Sequence, residues 1–573
     1  MSIGAMTCLL TAGVALLGSV PAQGSAPALV SEVLSFTAPD GTVLHATIGG
    51  FGSLTRRPLI VEDSPYAPAI SSLDWIGSAY NFIELQWRGT GLSGGSLDTT
   101  GAADQSDLAS FLGWACTQSW SNGNIGLYGF SASAIAVYNA MHLELPCVRA
   151  ASLMAGTVDL YRDLLYIGGI PNLVPGAVVE ADIGADTLSG GLTRLKQAAA
   201  SIPDAALGYV VSPLQVYENA TEDTFWQDRT FKGDRDQIPI LADTSFYDVE
   251  PRGPFLAFNA TEKYGSHLLV CGAHDGFPAG TPGPFPQYLN WFNHYLLGQP
   301  LSAANQPVVS LCLSNGSREQ FLADNLTKVT GPSWPLPGTQ WTRLYLSAAK
   351  SGTVASLNDG SLSLEPQSSA QQSYPFVPSE ATETDVHTMG VIAADGLDQA
   401  ATTLPALTNL SLSGPTSLTY TSPPLQSAIN AVGPSSLDVS VASSDPVTDL
   451  YVVVADVWPD GAAFPVATGS LRTSYPDLIK PFTLFDAAGD IVDPYTNFSV
   501  SDPALPGTTR EYHVEIPPIG NHFAAGHRIR VYILGTPFDQ LGSLPGLNTV
   551  SLGGVTASRL ILPTNGSGVA FER

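Results

Sequence analysis

The chain has 573 residues, which exceeds the size of one ordinary hydrophobic core and predicts two or three domains. Hydrophobic residues make up 44% of the chain, and a mean hydropathy of +0.14 excludes a disordered protein. With 50 Asp and Glu against 23 Lys and Arg, the net charge is -27. Such a charge disfavours binding to the phosphates of nucleic acids and to anionic lipid surfaces.

The N-terminal segment has the pattern of an export signal. An apolar run over 6–18 precedes the small residues of 20–26, and we assign a secretory signal peptide to 1–24. The run is too short to span a bilayer, and no later segment offers the roughly 20 continuous apolar residues that a membrane helix needs. The sequence therefore predicts a secreted protein, extracellular or periplasmic, without a membrane span.

Short apolar runs followed by turns predict strands in two stretches of the chain, 25–155 and 233–305. These runs are 59–61, 82–85, 125–128, 238–241 and 267–270. Helical spacing over 104–116 separates two of them, and a further helix is expected over 286–297. Alternation of this kind predicts a mostly parallel sheet wrapped by helices, which is an α/β domain built from both stretches.

Two other regions have a different texture. Residues 156–232 lack strand-like runs and are broken by Gly pairs and prolines, which predicts a helical insertion over the carboxyl edge of the sheet. Residues 306–573 are rich in Ser, Thr, Pro and Gly, with many short β-rich runs between turns. This pattern predicts a C-terminal all-β sandwich.

The segment around Ser131 combines a strand, a sharp turn and the start of a helix. A serine at such an elbow is exposed at the top of the sheet, beside the positive end of a helix. The usual spacing is Gly-x-Ser-x-Gly, and here Ser133, still a small residue, stands in place of the second glycine. We predict that Ser131 is the nucleophile of a serine hydrolase.

A serine hydroxyl needs a histidine as its base and a carboxylate that orients this histidine, and in this fold both follow the serine in the chain. His274 lies in a polar turn after an apolar strand, where a loop-borne base belongs. His267 and His294 fit structural positions within predicted elements. The carboxylate should follow the preceding strand, which makes Asp248 the first choice and Asp243 the alternative.

The oxyanion that develops on the substrate needs two hydrogen-bond donors. The backbone N–H of Ala132, directly after the nucleophile, is the first candidate. The second should come from a loop after an earlier strand, where Tyr66 offers a phenolic hydroxyl.

Four cysteines remain once the signal peptide is removed: Cys116, Cys147, Cys271 and Cys312. In an oxidising compartment they allow three pairings, between which the sequence does not choose, and buried free thiols are the alternative. Their wide spacing excludes a metal site of the CxxC type. Neither a metal nor an organic cofactor is expected.

Several motifs carry a resemblance to a known family. In the first 300 residues they are Ser64-Pro-Tyr66, Arg88-Gly-Thr-Gly-Leu-Ser-Gly-Gly95, Trp120-Ser-Asn-Gly-Asn-Ile-Gly126, Asp159-Leu-Tyr-Arg-Asp163, Thr224-Phe-Trp226 and Trp291-Phe-Asn-His-Tyr-Leu-Leu-Gly298. Further on they are Trp334-Pro-Leu-Pro337, Tyr420-Thr-Ser-Pro-Pro-Leu425, Asp456-Val-Trp-Pro-Asp-Gly461 and Ala525-Gly-His-Arg528. Together they resemble the family of cocaine esterase, X-prolyl dipeptidyl peptidase and α-amino-acid ester hydrolase, along nearly the whole mature chain.

The resemblance implies an α/β-hydrolase domain with a helical lid insertion, followed by an all-β jelly-roll domain over 306–573. It places the catalytic triad on Ser131, Asp248 and His274, and the tyrosine oxyanion donor on Tyr66. A small-molecule ester or amide is the implied substrate. Substrate-binding candidates that it adds are Glu250, Trp226 and Tyr166.

Four positions depart from the family pattern. Gln86 stands where Asp is usual, Ala132 where Tyr is common and Ser133 where Gly is expected, and Thr244-Ser-Phe246 replaces a Gly-Trp stretch. None of these changes removes a reacting group, so they bear on substrate preference.

Two alternatives to a plain esterase remain open. The first is an acylase or an aminopeptidase that releases a dipeptide, because Glu250 resembles the carboxylates that bind a substrate ammonium group in the α-amino-acid ester branch. That branch continues with a second acid where this chain has Pro251. The second is a non-catalytic carbohydrate- or surface-binding protein that uses its β domain.

Overall fold

A computed structural model describes most of the chain after the expected signal peptide. The described residues are 28–66, 76–172, 218–272, 274, 285–301, 306–355, 358–378, 417–537, 540–554, 557–566 and 568–572. The signal peptide predicted over 1–24 lies outside them, as does the middle of the insertion predicted over 156–232.

Among the described residues, ten strands form the first sheet. They are β1 Leu29–Thr37, β2 Val43–Phe51, β3 Arg57–Ser64, β4 Asn81–Gln86, β5 Ser121–Phe130, β6 Val148–Met154, β7 Ile240–Thr244, β8 His267–Val270, β9 Val309–Leu313 and β10 Thr327–Gly331. Their order is β1-β2-β4-β3-β5-β6-β7-β8-β9-β10. The pairs from β4 to β9 are parallel, and antiparallel pairs close the sheet at both ends.

The expected division at residue 306 differs from the structure in one respect. Strands β9 and β10 follow this position, yet β9 pairs in parallel with β8 and extends the first sheet. Composition and strand propensity are properties of the local sequence. The sheet that a strand joins depends on a partner strand far away in the chain. The β domain therefore begins structurally after β10.

Helices cover both faces of this sheet. Their bounds are α1 Ala102–Cys116, α2 Ala132–Ala140, α3 Thr224–Gln227, α4 Gly253–Thr261, α5 Phe285–Leu297 and α6 Arg318–Leu322. On β3, Leu59 and Val61 join the core beneath α1, α2 and α4, whereas Ile60 joins the core beneath α5. Successive strand residues point to opposite faces, so a sheet covered on both sides needs continuous apolar runs. This explains why the strands were visible in the sequence.

The second sheet contains eleven strands of the described chain. They are β11 Thr339–Ser347, β12 Asp359–Ser363, β13 Ala370–Phe376, β14 Leu418–Thr421, β15 Ile429–Ser443, β16 Asp449–Val457, β17 Ala463–Arg472, β20 Arg510–Phe523, β21 Arg528–Leu534, β22 Gly546–Leu552 and β23 Arg559–Asn565. A small ribbon pairs β18 Leu484–Phe485 with β19 Ile491–Asp493. The predicted C-terminal β-rich domain is confirmed.

The start of the insertion packs tightly against the β domain. Gly168 has a φ of 63°, and a Cβ added there would overlap the carbonyl oxygen of Ser470 on β17. Beside it, Arg252 forms ion pairs with Asp163 at 3.3 Å and with Glu515 of β20 at 2.5 Å. These buried charges join the insertion, the α/β domain and the β domain.

Of the three possible cysteine pairings, the structure contains Cys116–Cys147 and Cys271–Cys312, with Cα atoms 6.2 and 4.9 Å apart. The first ties the end of α1 to the loop before β6. The second ties the end of β8 to β9.

Candidate active site

The candidate nucleophile lies on a strained turn. Ser131 follows β5 directly and has a φ of 53° and a ψ of -121°, in a region that residues other than glycine rarely adopt. Its N–H donates to the carbonyl of Met154 at 2.9 Å, and its carbonyl accepts from the N–H of Ala134 at 2.9 Å. Strain of this kind costs about 1–3 kcal/mol and persists where surrounding contacts hold it, typically at functional sites.

The packing around the elbow accounts for the glycine at position 129, and it leaves room for a side chain at position 133, where the motif has its second glycine. A Cβ on Gly129 would lie 2.6 Å from the backbone nitrogen of Ala134, so a side chain would collide with the first turn of α2. A Cβ on Gly156 would lie 2.6 Å from the Cβ of Ala134. Gly156 therefore supplies a close approach to the elbow that the sequence motif did not reveal. Ser133 fits, and its hydroxyl donates to Glu62 at 3.0 Å.

The structure brings the predicted base and acid together. Nδ1 of His274 lies 2.9 Å from Oδ1 of Asp248, which is fully buried. The same carboxyl oxygen accepts from the N–H of Glu250 at 3.0 Å. The ring of His274 lies 5.2 Å from the ring of Phe130, which directly precedes Ser131. Base and acid thus lie beside the elbow.

Asp243, the alternative acid, has another partner. Its side chain accepts a hydrogen bond from the hydroxyl of Tyr288 on α5, and burial raises its pKa. Asp243 lies within β7, whereas Asp248 lies in the loop beyond the strand and reaches His274. The choice between the two depended on side-chain direction, which spacing alone did not define.

The proposed oxyanion donors are neighbours. Tyr66, half-buried in the loop after β3, packs against a cluster that contains Ala132, Ala136, Trp87 and Leu97. The N–H of Tyr66 donates to the hydroxyl of Ser64 at 3.2 Å. Tyr66 therefore lies against the cluster that contains Ala132, and the convergence of its hydroxyl with the Ala132 N–H stays a prediction.

Glu250 is a buried carboxyl close to the base. Its Oε2 atom has no hydrogen-bond partner within the described part of the chain. Burial raises the pKa of Glu250 to about 8, the positive charge of His274 opposes this, and the neighbouring Asp248 and Asp163 add to it. Sequence spacing placed Glu250 near the acid but gave no sign that its carboxyl group is buried.

The two aromatic candidates lie in a buried cluster. The ring of Tyr166 stacks on Tyr161 at 4.7 Å, and Trp226 packs edge-on against both at 5.5 and 5.9 Å. The indole N–H of Trp226 donates to the carbonyl of Asn219 at 2.6 Å. Contact of either ring with a substrate stays a prediction.

Among the departures from the family pattern, Gln86 has a defined structural role. Its Oε1 accepts the N–H of Leu92 at 2.8 Å and closes the turn that follows β4. In the β domain, Nδ1 of His527 lies 2.8 Å from Oδ1 of Asp456. Asp456 lies on a strand of the second sheet, whereas the elbow follows a strand of the first. Across the described ranges, no group of three or more His, Cys, Asp or Glu side chains is arranged to hold a metal ion.

A mainly parallel sheet, a serine on a strand–turn–helix elbow and a later Asp–His pair define an α/β hydrolase with an added β domain. Residues 40–275 match the family model described as X-Pro dipeptidyl-peptidase (S15 family). Residues 305–564 match the X-Pro dipeptidyl-peptidase C-terminal non-catalytic domain. The chain belongs to this family of serine hydrolases and is an enzyme with ester hydrolase or dipeptidyl-peptidase activity.

Individual relatives agree with this assignment. Cocaine esterase of Rhodococcus sp. (strain MB1 Bresler) is 23% identical over 539 residues, which are 84% of this chain and 86% of that protein. A CocE/NonD family hydrolase from Staphylococcus aureus superposes with a TM-score of 0.70 at 18% identity, covering 94% of both chains. An α-amino acid ester hydrolase superposes with a TM-score of 0.71 at 17% identity, covering 96% of this chain and 98% of the other.

Proposed function

We propose that the chain hydrolyses a carboxylic ester of a small molecule through an acyl-enzyme on Ser131. The observation that carries this is the 2.9 Å contact between His274 and Asp248 beside the strained serine elbow. With Nδ1 held by the carboxylate, Nε2 of the imidazole is the atom that takes the serine proton. Asp248 holds this tautomer and stabilises the imidazolium that forms.

The reaction proceeds in two halves. The Ser131 oxygen attacks the ester carbonyl, and the N–H of Ala132 and the hydroxyl of Tyr66 stabilise the negative charge on the carbonyl oxygen. His274 then gives its proton to the leaving alcohol. In the second half His274 activates water, which attacks the acyl-enzyme and releases the acid.

An ester is preferred over an amide because the relative from Rhodococcus is named as an esterase. The proposal includes the finer architecture: residues 156–232 form a helical lid over the site, and the second sheet is a jelly roll.

The proposal also includes secretion of the protein. The two disulfides support it, because disulfides persist in oxidising compartments. None of the helices in the described part of the chain has the length and hydrophobicity needed to cross a membrane.

Replacing the nucleophile tests the proposal. Ser131→Ala should lower the kcat for an activated ester by about 10⁴-fold or more and abolish labelling by a fluorophosphonate probe, which attacks the activated serine. Wild-type turnover in the variant would contradict the assignment. Failure of the probe to label wild-type Ser131 would favour a non-catalytic binding protein instead.

A second candidate function is the hydrolysis of α-amino-acid esters or the release of dipeptides. The buried carboxyl of Glu250 near His274 favours it, because a substrate ammonium would lower the pKa of Glu250 from about 8 and pair with the resulting carboxylate. The test compares kcat/KM for esters that differ only by an α-amino group, in wild type and Glu250→Gln. A preference for the amine that disappears in the variant supports this function, and equal rates exclude it.

A further inference from the structure

Ser133 and Glu62 form a hydrogen bond beneath the elbow that the catalytic scheme does not use. Ser133 is fully buried in the first turn of α2, and its Oγ donates to Oε1 of Glu62 at 3.0 Å. Glu62 lies on β3, four residues before Tyr66. One side-chain contact therefore joins the helix that provides the N–H of Ala132 to the strand that leads to Tyr66.

The proposed oxyanion donors need such a link because they come from separate elements. Both donors must lie about 2.7–3.1 Å from the same developing oxyanion. A misplacement of about 1 Å can cost roughly 10²-fold in rate. The elbow between them is strained at Ser131, whose φ is 53°, so neighbouring contacts must hold it in place.

We propose that the Ser133–Glu62 pair positions the oxyanion hole, with both residues acting through Ala132 and Tyr66 rather than on the substrate. This inference rests on the proposed function and deepens it. Ser133 stands at the position where the family pattern has glycine. The link to Glu62 therefore depends on a side chain that the family motif lacks.

The charge of Glu62 adds a second effect. The Ser133 hydroxyl from α2 lowers the pKa of Glu62, and Glu62 in turn raises the pKa of the Tyr128 phenol on β5 and of the Asp63 carboxyl on its own strand. None of these three neighbours is a cation. Burial raises the pKa of Glu62 to about 7, and the hydrogen bond from Ser133 opposes this shift. The carboxyl is therefore neutral at lower pH and becomes negative as the pH rises through about 7.

Glu62 is hydrogen-bonded to the helix turn that carries the Ala132 N–H, so a negative charge on its carboxyl group opposes the negative charge that develops on the substrate in the transition state. His274 requires higher pH to act as a base, whereas ionised Glu62 lowers the rate at higher pH. We expect kcat to rise with pH as His274 loses its proton and then to fall as Glu62 ionises.

The experiment measures kcat and KM for an activated ester between about pH 5 and pH 9 in four full-length proteins. They are wild type, Ser133→Ala, Glu62→Gln and the control Ser152→Ala. Ser152 is a fully buried serine on β6 opposite Tyr128, and its Oγ has no hydrogen-bond partner within the described chain. Its replacement removes the same hydroxyl group from a neighbouring strand without breaking a link to the elbow.

Ser133→Ala should lower kcat about tenfold or more with KM nearly unchanged, since a displacement of about 1 Å in a catalytic group can cost roughly 10²-fold in rate. Ser152→Ala should leave both constants close to wild type. Glu62→Gln keeps an oxygen that accepts from Ser133 but cannot ionise. It should raise the ratio of kcat at about pH 9 to kcat at about pH 6 roughly tenfold.

If Ser133→Ala behaves like Ser152→Ala, the positioning role is overturned, and if Glu62→Gln keeps the alkaline decline, the charge effect is overturned. Should Ser133→Ala fail to fold, Glu62→Met tests the positioning role with the same kinetics, because it has nearly the wild-type length and removes the acceptor of the Ser133 hydroxyl. Full activity in Ser131→Ala would instead refute the proposed function, so the two failures are distinguishable.

Discussion

Ser131 has an unfavourable backbone conformation, and the contacts around it hold the backbone in that conformation. Local sequence predicted the strand, the turn and the helix, because each has a short-range signal. Gly129 and Gly156 are required where they stand, because an added Cβ would collide with the first turn of α2, whereas position 133 accommodates a serine that bonds to Glu62. Gly156 is distant in sequence, so no spacing rule around Ser131 would have found it.

Exchange of the orienting acid separates the two aspartates that the sequence left open. Asp248→Asn should lower kcat about 10⁴-fold with little change in Tm, because an amide at this position favours the wrong imidazole tautomer. Asp243→Asn should keep kcat near wild type and lower Tm, because Asp243 bonds Tyr288 instead of the base. Steady-state kinetics and thermal unfolding of both variants check this. A larger kcat loss in Asp243→Asn would reverse the assignment.

At the scale of elements, the residue that precedes the proposed base His274 by three positions is tied to the sheet. Cys271 directly follows β8 and lies three residues before His274, and its disulfide joins it to Cys312 on β9. The N–H of Cys271 also donates to the carbonyl of Thr244 at 2.9 Å. Cys271 is thus held to the strands on both sides of β8.

Removal of each disulfide should separate stability from catalysis. The bridges span 31 and 41 residues, so chain entropy predicts that each contributes a similar amount to unfolding free energy, about 4 kcal/mol. Cys271→Ser with Cys312→Ser should lower both stability and kcat, the latter about tenfold. Cys116→Ser with Cys147→Ser should lower only stability. Urea unfolding and kcat well below the transition are the measurements, and equal kcat in both variants would contradict a role for the bridge in placing His274.

For the whole molecule, buried charges define how the three segments meet. Arg252 pairs with Asp163 and Glu515, and its guanidinium lies 5.3 Å from the ring of Tyr495. Arg162, which belongs to the insertion, has its guanidinium 3.8 Å from the same ring. Because one arginine contacts all three segments, the β domain helps to hold the loop that carries Glu250.

Loss of that arginine should destabilise the whole protein. Arg252→Ala removes the ion-pair partner of Asp163, which is fully buried, and of Glu515, whose side chain is 19% exposed. We expect a loss of about 3–5 kcal/mol in unfolding free energy. The matched control is Arg235→Ala, which breaks an ion pair with Glu144 whose side chains are 56% and 67% exposed. Such exposed pairs contribute about 0–1 kcal/mol. Equal losses in urea unfolding would show that the buried network does not join the segments.

The sequence by itself determined the order of strands and helices around Ser131, the α/β class of the first domain and the β-rich class of the last. It also predicted a nucleophilic serine, an acid and a base in that chain order. These features rest on short-range physics: apolar periodicity, turn chemistry and the residues that an elbow tolerates. For that reason the candidate site could be predicted down to a choice between two aspartates.

Tertiary structure alone decided the remaining features. It brought Asp248, and not Asp243, against His274, paired the four cysteines, placed β9 and β10 in the first sheet and joined Ser133 to Glu62. Each depends on which side chains or strands meet across dozens of residues, and on the burial that results. Contacts of this range leave no local pattern in the chain, because many pairings satisfy the same spacing and only packing in three dimensions selects one.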